Sequence, residues 1–149
     1  PIQTIVYMAA ACTVRDYEQS VLPYLRRHRE TRLYQLTLHP AAEMRDNWRP
    51  KPFLPDLPIR GSLLVWIDDF LSHPKTPLDK TLGRYENLIE HLRHADRYKD
   101  IERQIYVRAF DAGAGSKDPQ KHGDFNTQRF WDPKFWWPDG TAAAGLKTD

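Results

Sequence analysis

The chain has 149 residues, of which 40% are hydrophobic and 28% charged, and its 22 basic side chains nearly balance 20 acidic ones. This size and composition predict one globular domain and argue against a disordered chain. The mixed charge disfavours nucleic acid as a partner, because nucleic-acid-binding domains usually carry a concentrated basic surface. No apolar run approaches the roughly 18 residues that a membrane-spanning helix requires.

The first forty residues predict a strand, a helix and a second strand. Residues 4–11 (TIVYMAAA) form a short apolar run typical of a buried strand. Residues 13–30 place apolar side chains at helical spacing, although Pro23 lies among them. Residues 31–40 alternate as a strand does and end at Pro40. The short connections between these elements predict a right-handed β-α-β unit and therefore a parallel sheet.

The middle of the chain changes character. Residues 47–61 contain four prolines, which predict an extended and irregular excursion. Residues 62–73 have the apolar spacing of an amphipathic helix with Ser62 as its N-cap. A further helix is expected to begin at Leu82 or Tyr85 and to run through Leu92.

Residues 103–113 (RQIYVRAFDAG) predict the third strand, and a polar loop and an aromatic segment follow it. We therefore expect a single α/β domain over residues 1–138, interrupted by the excursion at 47–61. Residues 139–149 are expected to form a loose tail.

The order of these elements is strand, helix, strand, long excursion with helices, strand and histidine-bearing loop. It resembles the C-terminal half of the α/β-hydrolase fold. The resemblance implies a small, mostly parallel sheet flanked by helices, with a catalytic acid after one strand and a catalytic histidine after the next. Matched to this sequence, the histidine is His122 in KHGDF, and the acid is Glu43 or Asp46 in AAEMRDNW. Asp111, at the end of the last strand, is a further candidate site residue.

The implied activity is that of a serine hydrolase of esterase or lipase type, acting on a small-molecule ester without a metal or an organic cofactor. A carboxylate that accepts the imidazole Nδ1–H fixes the tautomer, which leaves Nε2 to take a proton from a serine hydroxyl.

The nucleophile of that family lies in a Gly-x-Ser-x-Gly turn between a strand and a helix, and this sequence contains no such motif. The segment GAGS (113–116) follows a strand but opens no helix. Cys12 lies at a strand-to-helix junction without flanking glycines, and it is better interpreted as a small buried residue. We therefore expect the nucleophile to come from the N-terminal part of the same protein or from another subunit.

Cys12 is also the only cysteine, so no disulfide can form within the chain. A reducing location, the cytoplasm, is expected.

Two other functions remain open. The first is a non-catalytic, protein-binding module that uses the Trp/Phe/Pro-rich C-terminal region, whose rings are Phe125, Phe130, Trp131, Phe135, Trp136 and Trp137. The simpler interpretation of these rings is that they cover an edge of the sheet. The second is a zinc enzyme using His91, His94 and Asp96, although a His-x-x-x-His spacing is absent there. Asp68 and Asp69 are expected to be solvated, or one of them paired with an arginine.

Overall fold

The computed structural model describes residues 1–46, 61–110, 113, 116–130 and 132–136, without the side chains of Ala95, Pro133 and Trp136. The predicted excursion (apart from Gly61), Asp111 and the predicted tail at 139–149 therefore lie outside the described residues.

Three parallel strands form one sheet in the order β1-β2-β3. They are β1 (Thr4–Met8), β2 (Arg32–Thr37) and β3 (Ile105–Ala109). Ile5 of β1 lies opposite Leu33 of β2, which in turn lies opposite Ile105 of β3. The sheet and its helices confirm the α/β class, and the parallel direction of the strands agrees with the β-α-β prediction.

β1 differs from its prediction in length and in burial. It ends at Met8, because Ala9 adopts a left-handed backbone conformation with φ of 42° and turns the chain out of the sheet. The prediction of a buried strand is wrong for β1, whose residues are half-buried or exposed. β1 lies at an edge of the sheet, and the apolar interior position belongs to β2, where Leu33 and Leu36 are almost fully buried.

The helical segment after β1 contains Pro23 without a break. Thr13 caps it, as its hydroxyl accepts a hydrogen bond from the Asp16 N–H. Helix α1 (Val14–Asp16) continues through a π-helical turn (Tyr17–Val21) into α2 (Leu22–Arg27). Pro23 is the second residue of α2 and directly follows the π-helical turn, so the irregular hydrogen bonding of that turn coincides with the position that lacks a backbone N–H.

The remaining helices are short. They are α3 (Pro40–Arg45), α4 (Leu63–Trp66) with a π-helical turn after it (Ile67–Leu71), α5 (Tyr85–Leu92) and α6 (Pro133–Trp136). Single 3-10 turns occur at Pro77–Asp79, Ala95–Arg97, Glu102–Gln104 and His122–Thr127. No helix in the described part of the chain is long and apolar enough to cross a membrane.

Two apolar clusters lie on the two faces of the sheet. The first joins Leu33 and Ile105 to the α1–α2 segment and to α5. The second joins Leu36 to Phe110, Phe125 and Leu64. Phe130 and Phe135 also pack against this second cluster, so the described phenylalanines of the aromatic segment contribute to the core. Trp131, Trp137 and the side chain of Trp136 lie outside the described residues.

Candidate functional site

The carboxyl ends of β2 and β3 lie at the same edge of the sheet, because the two strands are parallel. The chain leaves β2 into α3 and leaves β3 toward the His122–Thr127 turn, so side chains from both segments can meet there. His122 Nε2 lies 3.5 Å from Glu43 Oε1, and His122 Nδ1 lies 3.9 Å from Asp46 Oδ2. The structure thus brings together the three residues that the sequence singled out as a histidine and its possible acids.

Helix α3 places the Glu43 carboxylate on its buried side and the Asp46 carboxylate at its C-terminal end. His39 caps the helix through Nδ1, which accepts a hydrogen bond of 3.1 Å from the Ala41 N–H, and Pro40 occupies the first helical position. Glu43 is 1% exposed and points into the protein. Asp46 is the C-cap residue. A buried carboxylate requires polar partners, since an unpaired buried charge costs several kcal/mol.

Ser62 supplies the main partner for Glu43. Its hydroxyl donates a short hydrogen bond to Glu43 Oε2 and accepts bonds from the N–H groups of Leu64 (3.2 Å) and Val65 (3.4 Å) at the start of α4. The Ser62 N–H donates to the Glu43 carbonyl at 2.8 Å. Ser62 is fully buried, so its hydroxyl positions Glu43 and caps α4. It is therefore an unsuitable nucleophile for a substrate arriving from solvent.

Gly61 allows the start of α4 to lie close to the end of α3. Its φ of 125° is a conformation that other residues rarely adopt, and a Cβ there would lie 2.7 Å from Val65 Cγ1. The Gly61 N–H donates to the Asp46 carbonyl at 2.9 Å, which extends the pairing that begins at Ser62.

The His122 ring is held from several sides. It lies nearly parallel to the buried Phe125 ring, with centroids 6.3 Å apart. The backbone N–H of His122 donates a hydrogen bond to Asp46 Oδ2 at 3.3 Å. Two residues earlier, Gln120 Oε1 accepts a hydrogen bond of 2.9 Å from Arg45 Nη2. The turn that carries His122 is therefore fastened to α3 at two points.

The ring orientation differs from the expected one. Nε2 faces Glu43, whereas the sequence interpretation placed Nδ1 against the acid and left Nε2 for the nucleophile. Nε2 and Glu43 Oε1 are both buried and lie 3.5 Å apart, and neither forms a hydrogen bond with any described residue, the other included. Because Nε2 faces Glu43, Nδ1 is the nitrogen left to exchange a proton, with Asp46 beside it.

The imidazole thus lies between two carboxylates. This arrangement suits proton transfer, because a buried carboxylate orients the ring and stabilises the imidazolium that forms. A single metal ion cannot contact all three groups at once, because the two carboxylates face opposite ring nitrogens. Among the described residues, neither ring nitrogen has a hydroxyl or thiol partner.

The zinc hypothesis at His91, His94 and Asp96 finds no support in the geometry. His91 is 7% exposed, and its Nε2 shares a short hydrogen bond with the Tyr98 hydroxyl. Burial lowers the pKa of His91 below its ordinary value. In the described part of the chain, no group of three or more His, Cys, Asp or Glu side chains could hold a metal.

Cys12 lacks the environment of a reactive thiol. Burial and the neighbouring Asp16 carboxylate raise its pKa, so the nucleophilic thiolate is disfavoured. The residue packs beside the first apolar cluster. Cys12 is therefore a small apolar side chain, as interpreted, but it is only partly buried.

Asp68 and Asp69 have different environments. Asp68 is 5% exposed and accepts hydrogen bonds from the Thr81 N–H (2.8 Å) and from Asn87 Nδ2 (2.7 Å). The expectation that Asp68 is solvated is therefore wrong. Arg84 pairs with both carboxylates, at 3.5 Å and 3.2 Å, so the expected arginine partner is present.

The sequence interpretation missed the bond between Ser62 and Glu43. The sequence identifies Ser62 as an N-cap, but its second role depends on a contact across 19 positions of the chain. Local spacing carries no signal for such a contact.

Comparisons with known proteins identify no relative of this chain. The sequence matches no protein family, no curated protein and no solved structure.

Proposed function

We propose that this chain carries the histidine and the acid of a serine hydrolase of the α/β-hydrolase type, acting on small-molecule esters. His122 acts as general base and acid, and Glu43 orients its ring, with Asp46 beside the opposite nitrogen. The observation that supports the proposal most is the contact between His122 Nε2 and the buried Glu43 at 3.5 Å, built from segments that follow consecutive parallel strands.

The chemistry requires a nucleophile that the described residues do not place at His122. In this proposal the serine comes from the N-terminal part of the same protein or from another subunit. It approaches Nδ1, which accepts the serine proton, while Nε2 carries its own hydrogen on the side that faces Glu43. The reaction needs no metal or organic cofactor. The lone cysteine fits a protein of the cytoplasm.

The free edge of β1 supports this arrangement. β1 pairs with β2 on one side, and none of the described strands pairs with its other side. Its sequence TIVYM has no proline or lysine, the residues that commonly protect an exposed edge. A parallel strand that precedes β1 in the fold and leads to the nucleophile can add at this edge.

The alternative is a non-catalytic module that binds a protein through its aromatic C-terminal region. Phe125, Phe130 and Phe135 pack into the second cluster, so this alternative depends on the tryptophans outside the described residues. A completed module is also expected to cover its sheet edges. The hydrolase proposal is therefore the stronger one.

Kinetics of the native protein from its source cell test the proposal. With a p-nitrophenyl ester, His122→Ala is expected to lower kcat/KM about 10⁴-fold, since the ring is both base and acid, and Glu43→Gln about 10²-fold or more. His28→Ala is the matched control, because His28 lies at the end of α2 away from the site, and it should leave the rate unchanged. Equal rates in the His122→Ala and His28→Ala proteins would refute the proposal.

A further inference from the structure

A cavity of about 610 Å³ lies on the opposite side of the sheet from the His122 site. It is bounded by α5, by Val14 at the start of α1 and by the segment 76–80. Its size falls within the range of about 300–1,000 Å³ that is common for small-molecule sites. None of Glu43, Asp46 and His122 contributes to it.

One wall of the cavity is apolar and firmly held. It consists of Val14, Pro77 and Leu78. Val14 donates its N–H to the Lys80 carbonyl at 2.9 Å, and Arg15 pairs with Asp79 at 2.7 Å. These contacts fix the 3-10 turn against α1, so the wall exists without a ligand.

The opposite wall presents hydrogen-bond acceptors from α5. Both N–H groups of the Asn87 amide are in use, because Nδ2 donates to Asp68 Oδ2 and to the Thr81 carbonyl, each at 2.7 Å. The orientation of this amide is therefore set, and its carbonyl oxygen remains as an acceptor. Glu86 and Glu90 add two exposed carboxylates to the same wall, and each also lies near an arginine, Arg84 at 4.0 Å and Arg93 at 3.8 Å.

The rim also carries cations. Lys80 and Arg97 line it, and His94 stands nearby. Arg97 donates from Nη1 to Glu18 at 2.9 Å, which leaves its other N–H groups for a ligand. Two positive charges thus accompany the two negative charges of Glu86 and Glu90, so the lining is neutral overall but contains separated charges of both signs.

We infer that this cavity binds a small zwitterion with an apolar body, namely an amino acid or dipeptide with aliphatic side chains. The ligand's ammonium group binds Glu90 and the Asn87 carbonyl oxygen. Its carboxylate binds Lys80 and Arg97, and its side chains contact Val14, Pro77 and Leu78. A zwitterion can contact both sets of charges, whereas an ion of a single sign can contact only one set and a wholly apolar ligand neither.

An NMR titration of the isotope-labelled chain tests this inference. Leu-Leu and free leucine are added separately, and N-acetyl-Leu-Leu-amide serves as a probe with the same aliphatic groups but no charges. We expect Leu-Leu, leucine or both to shift the amide signals of α5 and of residues 76–80. The capped peptide should bind at least about 10-fold more weakly. Comparison of Leu-Leu with leucine then tells whether a dipeptide or a single amino acid is preferred.

Charge-removing variants complete the test. Glu90→Gln and Lys80→Gln should each weaken binding about 10-fold, because each removes one charge-assisted contact. Glu102→Gln and Lys99→Gln, which lie outside the cavity lining, are the matched controls and should bind as the wild type does. The inference is overturned if neither zwitterion shifts these signals, if the capped peptide binds equally well, or if the cavity variants bind like the controls.

Discussion

Glu43 is a buried carboxylate whose two oxygens have different partners. Oε2 accepts from the Ser62 hydroxyl, and Oε1 faces His122 Nε2 at 3.5 Å. Ser62 therefore satisfies one half of the carboxylate and leaves the other half for the imidazole. In the proposed hydrolase, this serine is a positioning residue for Glu43.

Replacement of Ser62 by alanine should destabilise the fold strongly. The change removes the cap of α4 and leaves Glu43 Oε2 buried without its donor, which together cost about 3 kcal/mol of unfolding free energy. Urea denaturation measures this cost. Thr76→Ala is the control, because Thr76 caps an exposed 3-10 turn, and it should cost less than about 1 kcal/mol. Equal losses in the two variants would contradict the role assigned to Ser62.

His91 should make stability depend on pH. Burial lowers its pKa in the folded state, below the ordinary value of about 6.5 that it has in the unfolded chain. Between pH 6.5 and pH 5.5 the unfolded chain therefore takes up a proton that the folded chain does not. The free energy of unfolding falls by up to about 1 kcal/mol from this group over that interval.

Denaturation of His91→Gln and His94→Gln at the two pH values checks this prediction. The environment of His91 includes Glu18, whose charge opposes the burial effect, and Arg97 and His94, whose charges add to it. His91→Gln should lose less stability on acidification than the wild type. His94→Gln, with its exposed side chain, should retain most of the wild-type dependence. If His91→Gln keeps the full pH dependence, another group is responsible.

At the scale of elements, hydrophobic periodicity identified all three strands, and for α5 it gave the correct end at Leu92 and the correct start, Tyr85, as one of two alternatives. These features are local, so the sequence contains them. The early end of β1 depends on the left-handed conformation of Ala9, a residue type that carries no signal for it. The π-helical turns at Tyr17–Val21 and Ile67–Leu71 were likewise not predicted, because bonds between residues five apart leave no distinct apolar spacing.

The π-helical turn after α4 is attached to the start of α5 through Asp68. Asp68→Ala removes the acceptor for Thr81 and Asn87 and leaves these donors without their partner, so we expect a loss of about 3 kcal/mol of unfolding free energy. The neighbouring Asp69→Ala is a matched control, since its side chain is 47% exposed and its pairing with Arg84 contributes little. It should cost less than about 0.5 kcal/mol. Similar losses for the two variants in urea denaturation would show that Asp68 does not join these elements.

At the scale of the whole molecule, the parallel direction of the sheet brings the site together. The order of elements in the sequence places His122 after the last predicted strand and the acids after the strand before it. It could not show which carboxylate meets which ring nitrogen, because that depends on how the α3 segment and the His122–Thr127 turn pack. It also did not indicate that β1 is an edge strand, since its apolar residues are the same as those of an interior strand.

The proposed function requires that His122 and Glu43 activate a serine that enters at the edge of β1 that pairs with none of the described strands. Labelling of the native protein with a fluorophosphonate probe, followed by peptide mapping and intact mass, tests it most directly. The claim predicts one labelled serine, in a Gly-x-Ser-x-Gly segment that precedes these 149 residues or belongs to a partner subunit. It also predicts that labelling is lost in His122→Ala and retained in His28→Ala. A native protein that takes up no probe, or one that His122→Ala labels as fast as the wild type, would contradict the claim.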